Sequence, residues 1–222
     1  MFPRKIISFI FIVIVPLVIW SCGSSAEYTS AKMAIEKSNW AEAEEYLFKA
    51  LEVEPANAEV MVQIGYHVHA KKREWTEMNK MFNQAIDIDP SAKVLGRPVT
   101  EITKNYRSMF WAENYNKAIR KYNESRKSQD KPALQSAADL FNETLAIDPS
   151  EAQTYSILAN CYYELGDSEK AVENAKKAHE LMPNEFRSNY TLGQILALTG
   201  QKEKAITYIE KAVEIEPNEQ GA

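Results

Sequence analysis

The sequence predicts an all-α solenoid of about five stacked helix–turn–helix units. Five segments of one form, ALEVEPAN (50–57), AIDIDPSA (85–92), TLAIDPSE (144–151), AHELMPNE (178–185) and AVEIEPNE (212–219), close on Pro55, Pro90, Pro149, Pro183 and Pro217. The prolines are spaced by 35, 59, 34 and 34 residues, and self-similarity at such a period marks a chain built by stacking one supersecondary unit. Before each proline lies a stripe at i, i+4, i+7: Ala43, Leu47, Ala50; Met78, Phe82, Ala85; Ala137, Phe141, Thr144; Ala171, Ala175, Ala178; Ala205, Ile209, Ala212. That spacing lines one helical face, which must be buried against a neighbour.

Residues 1–22, MFPRKIISFIFIVIVPLVIWSC, read as a targeting segment, with a basic start at Arg4 and Lys5 and 15 nearly uninterrupted apolar residues from Ile6 to Trp20. That core is short for a spanning helix, which needs about 20 residues. Ile19, Trp20, Ser21 and Cys22 resemble the lipobox of bacterial lipoproteins, which implies cleavage before Cys22 and its lipidation. An uncleaved signal anchor is the alternative.

Residues 23–57 form the first unit, clear in its second helix and with Ala31 as the main match in its first. Residues 58–91 form the second. Here Met61, Ile64, Gly65 and Val68 make an upstream stripe at i, i+3, i+4, i+7, and one extra residue is assigned to the turn KKREW. The interval of 59 places an insertion in the third unit, 92–151. SAKVLGRP reads as a loop, Val99 to about Lys127 as one lengthened helix, KSQDKPA as a longer loop, and about 133–146 as the second helix. Units four (152–185) and five (186–219) repeat the upstream stripe as Tyr155, Leu158, Ala159, Tyr162 and as Asn189, Leu192, Gly193, Leu196. Gly166 and Gly200 fall where a first helix must end and turn.

Residues 152–219 resemble tetratricopeptide repeats in their order of large residue, Leu-Gly/Ala, Tyr, Ala, aromatic, Ala and Pro, and the likeness extends over nearly all of 24–219. It implies a right-handed superhelix whose first helices line a concave groove that binds peptides or proteins. Carried over residue by residue, the groove positions are Tyr28, Lys32 and Ile35; Val62, Tyr66 and His69; Tyr115, Ile119 and Tyr122; Ser156, Asn160 and Tyr163; Arg187, Tyr190 and Gln194. Six of these are tyrosines, which combine large apolar area with a polar tip suited to recognition; packing between repeats is the other use such rings have. The family's carboxylate clamp for chaperone tails is not expected, because Ser156 stands where its lysine belongs and only Asn160 and Arg187 fall near its other places.

Chemistry is sparse. His67 and His69 are two residues apart, about 200° around a helix, and cannot share a metal as an i, i+4 pair could. Cys161, in LANCYYELG, sits among apolar repeat positions and reads as an inert buried thiol. No phosphate-binding glycine loop occurs, and neither catalytic residues, metal nor cofactor is expected. The net charge of −5 gives no reason to expect nucleic acid as a partner. One stretch opposes it: Arg97 to Lys131 holds nine basic and four acidic residues, either a solvated helix face or a docking surface for an acidic partner or lipid headgroups. At the C-terminal repeat, Ile206, Tyr208, Ile209, Val213 and Ile215 exceed what one packed face uses, which suggests either a homomeric or partner contact or an ordinary solvated edge. The expected protein is a non-catalytic scaffold or adaptor, lipid-anchored in a bacterial envelope and facing the periplasm from the outer membrane. The alternatives are a structural or oligomeric cell-surface subunit, a docking regulator of a cell-wall enzyme, and an enzyme in its own right.

Overall fold

The computed structural model describes residues 24–217; the targeting segment and Cys22 lie outside the described residues. Ten α-helices follow in order: α1 Ala26–Glu36, α2 Trp40–Val53, α3 Ala58–Ile64, α4 Trp75–Ile88, α5 Val99–Ser128, α6 Lys131–Ile147, α7 Ala152–Leu165, α8 Ser168–Leu181, α9 Phe186–Leu198 and α10 Lys202–Ile215. They pack as consecutive pairs, and α2, α6 and α8 each also touch the first helix of the next pair, as a solenoid requires. First helices meet as well, α7 against α9 and α3 against α5.

The predicted stripes form the core. Leu47, Met78, Phe82, Phe141, Ala175 and Ala212 are fully buried, while Ile209 is only half-buried at the end of the described array. The upstream stripe allows close approach. A Cβ on Gly65 would stand 2.5 Å from Phe82 Cε1, and one on Gly193 would stand 2.7 Å from Ile209 Cδ1, so glycine lets these first helices touch their second-helix partners.

Each unit closes at the residue before its proline, where the ring disfavours helical backbone. Asp89 (φ −153°, ψ 96°) and Asp148 (φ −140°, ψ 102°) leave the helix there. Each then accepts bonds across the proline, Asp89 from the Ser91 amide at 2.9 Å and Asp148 from the Ser150 amide at 3.0 Å. The acid-proline-serine wording is therefore a stop followed by a side-chain-capped turn.

The turn inside each pair is equally uniform. In every pair a left-handed residue directly precedes the N-cap of the second helix, and that place is held by Ser38 (φ 56°), Arg73 (φ 59°), Gln129 (φ 52°), Gly166 (φ 94°) and Gly200 (φ 87°). Glycine occupies it in only the last two units, which is why the sequence pattern exposed only those.

The second and third units depart from expectation in three ways. The extra residue assigned to KKREW is absorbed in the helix instead: α3 continues as a π-helical turn, Gly65–His69, with the Ala70 amide donating to the Gly65 carbonyl at 2.9 Å. A π-turn accommodates one inserted residue, so the turn at Arg73 stays regular. SAKVLGRP is not a plain loop, because Lys93–Val94 (β1) pairs antiparallel with Arg97–Pro98 (β2) across Leu95 and Gly96, both at positive φ as a tight hairpin turn demands. KSQDKPA is no longer loop either. Helix α5 runs 30 residues and α6 runs 17, and Pro132, tolerated in the first turn of a helix, lets α6 begin early. The insertion is thus spent as helix. The first half of α5 lies on α3 and α4, and its second half pairs with α6.

Candidate functional site

The first helices present the candidate residues unequally. Tyr28 is not a groove residue: it is 1% exposed and packs with Ala31, Leu47 and Ile64, and burial, followed by the Glu59 carboxylate, raises its pKa. Val62 and Ser156 are also buried, because the short α3 and the tight α6–α7 junction bring neighbouring helices over those faces. Lys32 is exposed, with Nζ 4.6 Å from the centre of the Tyr28 ring and donating to Ser24 Oγ at 3.1 Å. Tyr66 is half-buried, stacked on Tyr106 with centroids 4.1 Å apart and flanked by Phe110. His69 Nδ1 lies 2.8 Å from Glu74 Oε2.

The face shared by α5, α7 and α9 is more open. Tyr115 stacks on Trp111 at 4.6 Å and meets Phe141 edge-on. Its hydroxyl pKa is raised first by burial, with the Arg187 guanidinium opposing and the Glu151 carboxylate adding to the rise. Arg187 of the fifth unit thus lies close enough to Tyr115 of the third to act on it electrostatically. Tyr122 donates from its hydroxyl to Glu164 at 3.1 Å, and Arg126 approaches the same carboxylate at 3.8 Å. Asn160 and Gln194 are half-buried, Arg187 is exposed, and Tyr190 stacks on Phe186 with centroids 5.5 Å apart. Tyr163 packs partly against the α8–α9 core. The structure thus brings Tyr115, Asn160, Arg187, Tyr190 and Gln194 onto one side of the last three pairs. Tyr28 is placed in the core, and Lys32, Tyr66 and His69 stand on the first two pairs.

Two residues weighed for chemistry have structural settings. Cys161 is fully buried, and burial pushes its thiol up to about 12, which leaves no reactive thiolate near neutrality. His67 stacks on Trp40 at 5.7 Å, meets Tyr66 edge-on at 4.8 Å, and is held down to about 4 by burial and by the nearby Lys71 charge. Among the described residues no cluster of three or more His, Cys, Asp or Glu could hold a metal, and no helix is long and apolar enough to cross a membrane.

The junction of α4, α5 and the α6–α7 loop was not singled out from sequence. Arg107 donates from Nε to Asn79 Oδ1 at 2.6 Å and from Nη2 to Asn83 Oδ1 at 2.8 Å. Asn79 in turn donates from Nδ2 to the carbonyls of Ala146 and Ile147 at 2.7 and 3.0 Å. The signal available was the i, i+4 pair of asparagines on the outer side of the α4 stripe, a polar row where a solvated face would favour charge.

The tetratricopeptide repeat family pattern matches residues 151–217. Residues 151–217 are tetratricopeptide repeats. No curated protein matches the chain by sequence. Among solved structures, the chain is similar to MamA residues 41 to the end from Desulfovibrio magneticus RS-1, with 17% identity, 90% of this chain and 100% of that one covered, and a TM-score of 0.43. The Yersinia enterocolitica type III secretion translocator chaperone SycD shows 17% identity, covering 51% of this chain and 79% of its own, with a TM-score of 0.44. A mutant of the Thermobaculum terrenum O-GlcNAc transferase shows 26% identity over 49% of this chain and 20% of its own, with a TM-score of 0.43.

Proposed function

We propose that the protein is a non-catalytic scaffold of the bacterial cell envelope, which binds an extended segment of a partner protein along the first-helix face of its last three pairs. The observation that carries this reading is the placement of half-buried Tyr115, Asn160, Tyr190 and Gln194 and exposed Arg187 on the first helices of those pairs. Aromatic area, an exposed guanidinium and the amides of Asn160 and Gln194 together offer apolar contact and hydrogen bonds to a peptide backbone. The reading further takes Cys22 as a lipidated residue and Arg4, Lys5 and the apolar run behind them as its leader. Only Gly23, Ser24 and Ser25 separate Cys22 from α1, a reach of about 10 Å when extended. The array would then stand on the periplasmic side of the outer membrane and meet partners close to that surface.

The test has two arms. Cys22→Ala should release the protein from membranes, whereas retention in the pellet at high salt identifies an uncleaved signal anchor. Crosslinking in native membranes followed by mass spectrometry should return one dominant protein partner, and that partner should be lost when Arg187 and Gln194 are both changed to alanine.

A second reading, self-association, is favoured by the last described pair. Leu198, Ile206 and Val213 are 50%, 57% and 52% exposed, while Tyr208 of the same helix is turned inward against His179. A sedimentation coefficient that rises with concentration, and no longer does so in Ile206→Lys/Val213→Lys, is the result this reading requires.

A further inference from the structure

The inserted helix builds a polar cleft that the first-helix face does not include. It has a volume of about 440 Å³ and is lined by Asn79 and Asn83 of α4, Lys104 and Arg107 of α5, and Asp148, Pro149 and Ser150 of the α6–α7 loop. Arg107 is half-buried there, with its guanidinium carbon 5.5 Å from the centre of the Phe82 ring. Two of the five guanidinium N–H donors are committed to Asn79 and Asn83, and both acceptors are neutral. Neither Arg107 nor Lys104 makes an ion pair among the described residues.

The wall holds one acid, Asp148, which already accepts from the Ser150 hydroxyl and amide at 2.6 and 3.0 Å. Two cations and one carboxylate leave a single positive charge in the cleft. A guanidinium pinned on one edge, with three N–H donors open, is preorganised for a planar two-oxygen anion.

We propose that this cleft receives one carboxylate side chain, a glutamate or aspartate on a partner protein, with Arg107 as the fork and Lys104 as the second cation. A monoanion matches the net charge of the wall, whereas a phosphate dianion would face Asp148 with one charge uncompensated. Arg107 is half-buried whereas Lys104 is exposed, so a flat headgroup layer would meet Lys104 first. The remaining unpaired cations of α5, Lys117, Arg120, Lys121 and Lys127, do not line the cleft and stand about 140°, 160°, 100° and 140° around the helix from Lys104 at 100° per residue.

The experiment titrates the full chain, with ¹⁵N-labelled side chains, against acetyl-Gly-Glu-Gly-amide, its Gln counterpart and inorganic phosphate. The glutamyl peptide should shift the Arg107, Asn79 and Asn83 side-chain resonances, and the Gln peptide should not. Lys104→Gln, at an exposed position outside the asparagine contacts, should weaken the glutamyl peptide at least tenfold with the melting temperature unchanged. Arg107→Lys, which keeps the charge and loses the fork, should weaken it similarly. Lys117→Gln/Arg120→Gln should leave it as in the parent. An absence of shifts overturns the proposal, as does tighter binding of phosphate than of the peptide. Loss of binding in Lys117→Gln/Arg120→Gln, or Lys104-dependent binding to phosphatidylglycerol vesicles in place of the peptide, also overturns it.

Discussion

Arg107 Nε donates to Asn79 Oδ1 at 2.6 Å, and this bond ties the inserted helix to the second unit. Through its Nδ2, Asn79 also satisfies the last carbonyls of α6, so one side chain links three helices where a regular array would have stacked one unit directly on the next. Asn79→Ala removes the acceptor of a half-buried cation and the donor to two helix-end carbonyls. It should cost about 2 kcal/mol, since groups left unsatisfied cost about 1–3 kcal/mol. Asn83→Ala, which removes one bond at an exposed site, should cost less than half as much. Urea midpoints measure both, and equal midpoints for the two variants would contradict the assignment.

The left-handed turn residues offer a gain in stability. Ser38 holds φ 56° in the place that Gly166 and Gly200 fill later in the chain, and a residue with a Cβ loses about 1–2 kcal/mol in that conformation. Offset by the extra chain entropy of glycine, Ser38→Gly should stabilise the protein by about 0.5–1 kcal/mol in equilibrium unfolding. A loss of stability would show that the Ser38 side chain has a role the backbone does not explain.

The two close-approach glycines differ in what opposes a methyl group. At Gly65 the neighbour is the fully buried Phe82 ring, whereas at Gly193 it is the half-buried Ile209 side chain, with the Ala205 carbonyl behind it at 3.1 Å. Gly65→Ala should therefore cost about 2–3 kcal/mol, in the range of overpacked cores, and Gly193→Ala well under that. Thermal unfolding of the two variants should preserve this order.

Stability should fall with acid through His67. Its folded pKa, about 4, lies below the usual value near 6.5, so the unfolded chain binds the proton more readily. The neutral ring's contribution is complete above pH 6.5 and is lost progressively as pH falls toward 4. His67→Phe keeps a ring between Trp40 and Tyr66 and removes the titration. The slope of unfolding free energy between pH 6.5 and 4 should flatten in that variant, and an unchanged slope would place the acid sensitivity elsewhere.

How much was legible in the sequence follows from what kind of signal each feature leaves. The stripes at Leu47, Phe82, Phe141 and Ala175 were readable because burial of a helix face imposes a period on the residues themselves. The length of α5 was readable because no proline or glycine interrupts Val99 to Ser128. The hairpin at Lys93–Pro98 and the π-turn at Gly65–His69 were not. A two-residue strand has no period, and a single inserted residue shows its presence without showing where the backbone will absorb it. Tyr28 was misplaced for a related reason: its position in the unit matches the groove pattern, but α3 packs over it. Arg107 left no trace beyond its charge, because its contacts to Asn79 and Asn83 are long-range in sequence.

The central claim is that partners dock on the first-helix face. A photo-crosslinking amino acid placed at half-buried Asn160 of α7 and exposed Arg187 of α9 probes that face, and the same residue at exposed Lys80 of α4 and Glu173 of α8 probes the second helices. The account predicts adducts to one common protein from positions 160 and 187 and none from 80 and 173. Adducts from 80 and 173 alone would contradict it.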